Sequence, residues 1–466
     1  MFVNGALQPA RHHTTVYDRW TGEPIGSVPR DGAEEAAAAV SALATGRRAM
    51  TPQQRSAVLA RAAGLLRARA EEFSTLITAE SGVCRKETLR EVARAAGNLS
   101  VAAAEAERIR GESIPLPDAT RLAVTLPEPV GVVLGITPFN RPLNQVVVKA
   151  APALAAGCPL LLKPSDKTPL TALAFAELLV EAGCAKDMLA VVTGEPGELG
   201  PLLAAHPDVA MVTFTGSVAT GHAVAAQAAG KRLLLELGGN DPLFVLPDAD
   251  LAHAARLAAD GSCATAGQSC RGIKRIFVWA EVADEFTALL ESAVAAKRVG
   301  DPRRDDTDLG PLVNEDAALV VERRIARAVR DGARLVTGGE RDGALVRPAV
   351  LDRVPPDTEL VTEETFGPVA PVIRVADADE AVRLSNSTAY GLQAGVLTQD
   401  SARFWDIAAR LRVGAVNLGE GPHFDSPHIP FGGVKASGVG REGIRYAIAE
   451  MTVTKTVTLP GPYATT

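Results

Sequence analysis

Cysteine and glutamate are the side chains in this chain whose surroundings best suit chemistry. Cys270 lies in Gly-Gln-Ser-Cys-Arg and Glu236 in Leu-Glu-Leu-Gly-Gly. A thiolate can add to a carbonyl carbon, and a carboxylate can take a proton from water. Both sit in glycine-marked segments, where backbone can approach a ligand closely. A third residue, Asn140 in Thr-Pro-Phe-Asn, has a side-chain amide able to donate to a developing oxyanion. Glu236 closes the apolar run Leu233-Leu234-Leu235, which predicts partial burial and a raised pKa.

The elements that must position these residues read as two α/β units. From about 131 the pattern alternates. Strands are expected at 132–136, 160–163, 190–192, 210–214 and 233–236, with helices at 142–156, 168–182, 197–205 and 218–229. Such alternation predicts a parallel sheet covered by helices, with its ligand crevice beyond the carboxyl ends of the strands. A second series starts near 242, with strands at 274–279, 346–351, 371–374, 394–397 and 413–417. Ala-rich helices are expected at 33–48, 52–71 and 86–110, the last closed by Gly111. Residues 121–128 and the Thr/Val-rich stretch 451–459 read as strands, and a terminal strand needs a partner edge.

Composition narrows the class. A chain of 466 residues with 47% hydrophobic and 22% charged residues reads as globular, with two or three domains. A net charge of −7 argues against nucleic acid as a partner. Five scattered cysteines (Cys84, Cys158, Cys184, Cys263, Cys270) fit neither a disulfide framework nor a paired zinc motif, so no metal is expected. No uncharged apolar run is long enough to span a bilayer, and no secretory leader is evident. A cytoplasmic protein with reduced thiols is the expectation.

Taken together, Asn140, Glu236 and Cys270 resemble the catalytic set of the aldehyde dehydrogenase superfamily, and the likeness extends along nearly the whole chain. Phe214-Thr215-Gly216-Ser217 with Gly221, Lys163-Pro164-Ser165-Asp166, Glu363-Glu364-Thr365-Phe366-Gly367-Pro368, and Pro430-Phe431-Gly432-Gly433-Val434-Lys435 follow in family order. The resemblance implies the aldehyde-dehydrogenase-like α/β fold: two Rossmann-type parallel-sheet domains plus a β oligomerisation arm. The dinucleotide-binding domain would take residues 1–113 and 130–238, and the catalytic domain 239–434. The arm would take 114–129 and 449–466, with 435–448 returning to the cofactor domain. It implies Cys270 as nucleophile, Asn140 with the Cys270 backbone N–H as oxyanion donors, and Glu236 as the base that activates the deacylating water. Relatives that pass the acyl group to coenzyme A commonly lack that carboxylate, so hydrolysis to a free acid is expected.

The same resemblance implies NAD or NADP as cofactor. Backbone N–H groups and the Ser217 hydroxyl, at a strand end and helix start, suit a pyrophosphate. Lys163, Ser165 and Asp166 would meet the adenosine ribose, and Glu364 and Phe366 the nicotinamide ribose and ring. Ile136, Thr137, Pro138, Phe139, Gly197, Phe214, Gly216, Gly221, Leu237 and Gly238 complete the expected cofactor contacts. Asp166 stands where relatives often have Glu, which leaves room for a 2′-phosphate, so NAD is only slightly favoured.

Four residues are expected to touch substrate: Arg108 on the helix that lines the substrate funnel in relatives, Arg141 after Asn140, Arg271 after Cys270, and His423 in the loop that caps the mouth in relatives. Arginines suit a carboxylate, phosphate or phosphonate. The segment Thr-Pro-Phe-Asn-x-Pro-Leu-Asn resembles that of family members acting on phosphonoacetaldehyde, glyceraldehyde 3-phosphate and lactaldehyde. The expected substrate is a small anionic aldehyde, phosphonate or phosphate ahead of carboxylate. A lactaldehyde-like or succinate-semialdehyde-like enzyme is the alternative, and a catalytically silent homologue the rival outside catalysis. A homodimer or homotetramer is expected.

Overall fold

The structure, a computed structural model, describes residues 1–46, 50–118, 120–424 and 426–461. Its first sheet is built around five parallel strands, Val132–Ile136, Leu160–Lys163, Leu189–Val191, Val209–Thr215 and Arg232–Glu236. The chain starts at Val132–Ile136 and steps outward through the next two. It then returns to pair Val209–Thr215 on the other side of Val132–Ile136. Strand order therefore reverses between those two strands, the place where such sheets open a ligand crevice. In register, Ile136 faces Lys163 and Phe214, and Thr215 faces Glu236. Antiparallel edges come from Phe2–Val3 against Val191 and from Gly438–Val439 against Leu235 and Glu236.

The second sheet repeats the plan. Asp241–Val245, Ile273–Trp279, Val369–Val375 and Ala349–Asp352 run outward in parallel, with Arg334–Thr337 antiparallel at the edge. Gln393–Leu397 and Ala415–Leu418 extend the opposite side. All residues of Ile273–Trp279 and Asp241–Val245 are buried, as strands covered on both faces must be. Only residues 237–240 separate the carboxyl end of Arg232–Glu236 from the amino end of Asp241–Val245. Asp241 pairs in register with Ile273, three residues after Cys270. The carboxyl edge of one sheet thus abuts the amino edge of the other.

The helix Arg85–Ala106 buries Val92, Ala95, Ala96, Leu99, Ala102, Ala103 and Ala106, the three-and-four spacing of a core-facing stripe. It packs against Asn144–Ala156. Its end is earlier than the sequence suggests. Glu107 caps it, and Gly111 serves a different purpose: a Cβ there would lie 1.7 Å from the Thr125 carbonyl oxygen. Gly111 permits a close crossing of two backbones instead of stopping a helix. The expected helix at 52–71 is two, Pro52–Ala68 and Ala70–Ser81, joined at Arg69. The expected helix at 33–48 ends at Thr45, and residues 47 and 48 lie outside the described residues. Thr452–Pro460 pairs antiparallel along Arg121–Pro129, with Ser113–Ile114 on the far side. Among the described residues no helix is long and apolar enough to cross a membrane.

Candidate active site

Where the two sheets meet, a cavity of about 460 Å³ opens beside Cys270 and Asn140. Cys270 alone of the five cysteines keeps some exposure; the other four are buried. Burial pushes the Cys270 thiol up to about 12, and Glu364, Asp241 and Glu236 push the same way against Arg271. Cys84, Cys158, Cys184 and Cys263 are raised by burial as well.

The turn before the nucleophile is backbone-strained. Thr265 (φ 55°), Ala266 (φ 52°) and Gly267 (φ 71°) are all left-handed. For Thr and Ala that costs roughly 1–2 kcal/mol per residue, so other contacts must hold the turn. Gly267 is required by space too, since a Cβ there would come 2.0 Å from the Gly367 carbonyl oxygen. Lys274 Nζ donates to the Gly267 and Thr365 carbonyls. Gln268 Oε1 accepts the Val313 N–H at 3.0 Å, and the Gln268 carbonyl accepts from Asn140 Nδ2 at 2.8 Å. An amide nitrogen carries two protons, so Asn140 has a second one beside the cavity. Gly239 lets the cofactor-side loop reach this turn: a Cβ there would lie 2.2 Å from the Cys270 carbonyl oxygen.

Glu236 ends its strand fully buried, with neither carboxylate oxygen hydrogen-bonded. Burial, and then the charge of Glu442, raise its pKa well above the usual carboxylate range. Glu442 accepts Lys149 Nζ at 2.8 Å, which also donates to Thr215 Oγ1 at 2.7 Å. Gly432 makes room here, a Cβ on it lying 2.7 Å from Glu236 Oε1.

Most of the expected cofactor residues fall near the carboxyl edge of the first sheet, while Glu364 and Phe366 come from the segment before Val369–Val375 of the second. Ile136 and Thr137 are buried, and the Thr137 N–H donates to the Lys163 carbonyl at 3.2 Å. Lys163 is buried, and burial lowers its pKa despite the nearby charges of Asp166 and Glu195. Ser165 and the exposed Asp166 follow it. Phe214 is the penultimate residue of its strand, and a Cβ on Gly216 would strike its ring at 2.5 Å. Ser217 caps Val218–Gln227, accepting the Thr220 N–H, while Gly221 in that helix lies against Leu237. Gly197 is exposed on Pro196–Ala205. Past Pro138, the Phe139 ring meets Phe366 edge-on, with centroids 6.0 Å apart. Glu364 Oε1 accepts the Gly239 N–H at 3.2 Å, and a Cβ on Gly238 would lie 2.4 Å from Glu364 Oε2. Burial raises Glu364 to about 7, against the charge of Lys274. A buried cation, a capped helix start, a carboxylate and an aromatic pair form a donor set that fits a dinucleotide.

On the substrate side, Arg141, Arg271 and His423 line the cavity. Arg141 pairs with Glu87 at 2.9 Å, and Arg271 Nη1 reaches the His423 carbonyl at 3.4 Å and stacks over Phe431. Burial lowers the His423 pKa, helped by Arg271. Asp425 of the same loop lies outside the described residues. Arg108 does not join them. It follows the end of Arg85–Ala106, is largely exposed, and pairs with Glu105 at 2.7 Å. The same helix supplies Lys86, Arg90 and Arg94 to the cavity wall instead. Their four-residue spacing puts them on one face, a signal present in the sequence. Of the lining acids, Asp308 pairs with Lys86 and Asp260 with Lys297. Glu91 accepts the Leu143 and Asn144 N–H groups, both at 2.9 Å. A smaller recess of about 100 Å³ shares Cys270, Arg94 and Arg271. Among the described residues no cluster of His, Cys, Asp and Glu could hold a metal.

A partly exposed thiol, an amide donor and a buried carboxylate stand at the seam of the two sheets, beside residues whose types fit a dinucleotide, and this is the arrangement of an oxidoreductase. The chain belongs to the aldehyde dehydrogenase family, whose model matches residues 7–457. It is 42% identical to the sulfoacetaldehyde dehydrogenase of Neptuniibacter caesariensis, over 87% of this chain and 90% of that protein. It is 38% identical to the 3-sulfolactaldehyde dehydrogenase of Priestia aryabhattai, over 98% and 97%. Among solved structures, succinate-semialdehyde dehydrogenase from Burkholderia pseudomallei superposes with a TM-score of 0.95 at 40% identity, covering 98% of this chain and 97% of that one.

Proposed function

We propose that this aldehyde dehydrogenase oxidises a small aldehyde bearing a sulfonate or carboxylate group, using NAD or NADP, and releases the free acid. The observation that carries the reading is the basic wall of the cavity. Arg90, Arg94, Arg141 and Arg271 all line the space beside Cys270, and guanidinium groups suit oxyanions with several acceptor oxygens. The relatives named above for sulfonated and carboxylated aldehydes support this choice of anion over phosphonate.

In this reading the Cys270 sulfur adds to the aldehyde carbon, and the resulting oxyanion faces the second Asn140 N–H and the Cys270 backbone N–H. Lys163, Ser217, Glu364 and Phe366 would hold a dinucleotide, which when bound would supply a hydride acceptor, and loss of hydride from the adduct carbon leaves a thioester on Cys270. Glu236 then takes a proton from the water that attacks the thioester, freeing the acid and the thiol. The raised pKa of Glu236 makes it a stronger base, once ionised, than an exposed carboxylate. We further propose that Thr452–Pro460, with Leu459 exposed at its end, offers its unpaired edge to another copy in a homo-oligomer.

Steady-state kinetics of the purified protein with sulfoacetaldehyde, succinate semialdehyde and propanal test the reading. The anionic aldehydes should show the higher kcat/KM, with acid formed in the absence of coenzyme A. A preference for propanal, or a strict need for coenzyme A, overturns it.

A further inference from the structure

We propose that Glu87 is a positioning residue, a clamp that ties the strained nucleophile turn to the oxyanion segment. Glu87 stands in the first turn of the helix Arg85–Ala106. One of its oxygens, Oε2, accepts from both Arg141 Nη2 at 2.9 Å and Thr265 Oγ1 at 3.0 Å. Arg141 follows the oxyanion donor Asn140, and Thr265 opens the left-handed run that leads to Cys270. A β-branched residue keeps a left-handed backbone only where its surroundings over-determine it. The Thr265 hydroxyl is the handle by which they do so. The carboxylate is 15% exposed and its Arg141 partner 24%, so the pair is only partly screened by solvent.

One turn along the same helix, Glu91 accepts two N–H groups at the start of Asn144–Ala156. Glu91 therefore secures the far end of the oxyanion segment, while Glu87 bridges its near end to the nucleophile. Glu87 lines the same cavity, but its carboxylate is hydrogen-bonded to Thr265 and Arg141 and not to the Cys270 thiol or the Asn140 amide. It acts through Thr265 and Arg141, and its loss should slow attack by Cys270 on any electrophile while leaving the dinucleotide cradle unchanged.

The test uses turnover of p-nitrophenyl acetate, which needs the thiol and its oxyanion donors but no cofactor. Cofactor affinity is measured separately by fluorescence titration. Glu87→Gln and Thr265→Val should each lower kcat/KM for the ester by about tenfold or more. Thr265→Ser, which keeps the hydroxyl, should stay within about twofold of the parent, and the double variant should be no worse than either single one. Cofactor affinity should remain within about twofold throughout. Should Glu87→Gln fail to fold, the Thr265 pair carries the same test. Ester turnover near the parental level in Thr265→Val, or losses that multiply in the double variant, overturn the clamp. So does a parallel fall in cofactor affinity. The inference rests on Cys270 as nucleophile, and Cys270→Ala separates the two. Ester turnover surviving in Cys270→Ala sinks the site itself, whereas loss there with Glu87→Gln unaffected sinks only the clamp.

Discussion

Asn140 Nδ2 donates to the carbonyl of Gln268 at 2.8 Å, two residues before Cys270. Asn140, the proposed oxyanion donor, is therefore fastened to the turn that carries Cys270, the proposed nucleophile. Asn140→Ala removes that fastening and the remaining amide proton at once. It should lower kcat by 10²–10³, about 3 kcal/mol at the transition state, with a smaller change in KM. Stopped-flow kinetics with the preferred aldehyde would show this. A change confined to KM would mean that Asn140 only binds substrate.

The role proposed for Glu236 separates the two halves of the reaction. Glu236→Gln should leave thioester formation largely intact and stall its hydrolysis. Intact-protein mass spectrometry after mixing with aldehyde and cofactor should then find the acyl adduct on Cys270. If no adduct accumulates while turnover is lost, Glu236 acts before the thioester forms.

The basic stripe and the misplaced arginine give a paired test. Arg94→Ala should reduce kcat/KM for sulfoacetaldehyde by about 10- to 100-fold, the value of a charge-assisted hydrogen bond, and hardly change that for propanal. Arg108→Ala, outside the cavity and paired with Glu105, should change neither. Equal losses on both aldehydes in Arg94→Ala would remove the argument for anion recognition.

Gly239→Ala probes the contact between the two halves. The new methyl would press on the Cys270 carbonyl, 2.2 Å from the ideal Cβ position. A displacement of about 1 Å at the reacting sulfur is enough for a loss near 10²-fold, against a stability cost of about 1–3 kcal/mol for overpacking. Denaturant titration beside kinetics would measure both, and parental activity would show that the contact is slack.

The pH dependence has a defined sign. The Cys270 thiol, pushed up to about 12, and the raised Glu236 must both shed protons to work, so ester turnover should climb on the alkaline side. Burial raises Glu364 to about 7, and in the proposed ribose contact its carboxylate would be the accepting form. Cofactor affinity should therefore strengthen as pH rises through about 7. Lys274 holds that pKa down, so Lys274→Met should move the midpoint upward. A flat affinity profile would exclude Glu364 from the cofactor site.

Strands were the most legible part of the sequence. Val132–Ile136 and Leu160–Lys163 lie where alternation and glycine punctuation put them, because short buried runs flanked by turns have few other solutions. Helix ends were less so. Glu107, Arg108, Ile109 and Arg110 continue the helical pattern past Ala106, and Gly111 mimics a stop, while the chain leaves the helix to cross Thr125. That error carried Arg108 into the expected substrate set. Arg90 and Arg94 were visible as a periodic stripe, but which face looks into a cavity is decided by tertiary packing. The left-handed pair Thr265 and Ala266 has no local signature, since neither residue favours that backbone. Gly239 and Gln268 gain their roles only from chain segments far away in sequence. The expected preference for phosphonate followed from the segment around Asn140, whereas the named relatives turn on sulfonate and carboxylate.

Cys270 precedes a strand of the second sheet and Glu236 ends a strand of the first, and the short segment 237–240 joins the two sheets. The separation of Cys270 from Glu236 is thus set by how the two halves lie against each other. A slip of one half along the other would disarm the enzyme without unfolding it. Solvent viscosity, hydrostatic pressure and distant substitutions along that seam are therefore levers on turnover that no change inside the pocket would reproduce.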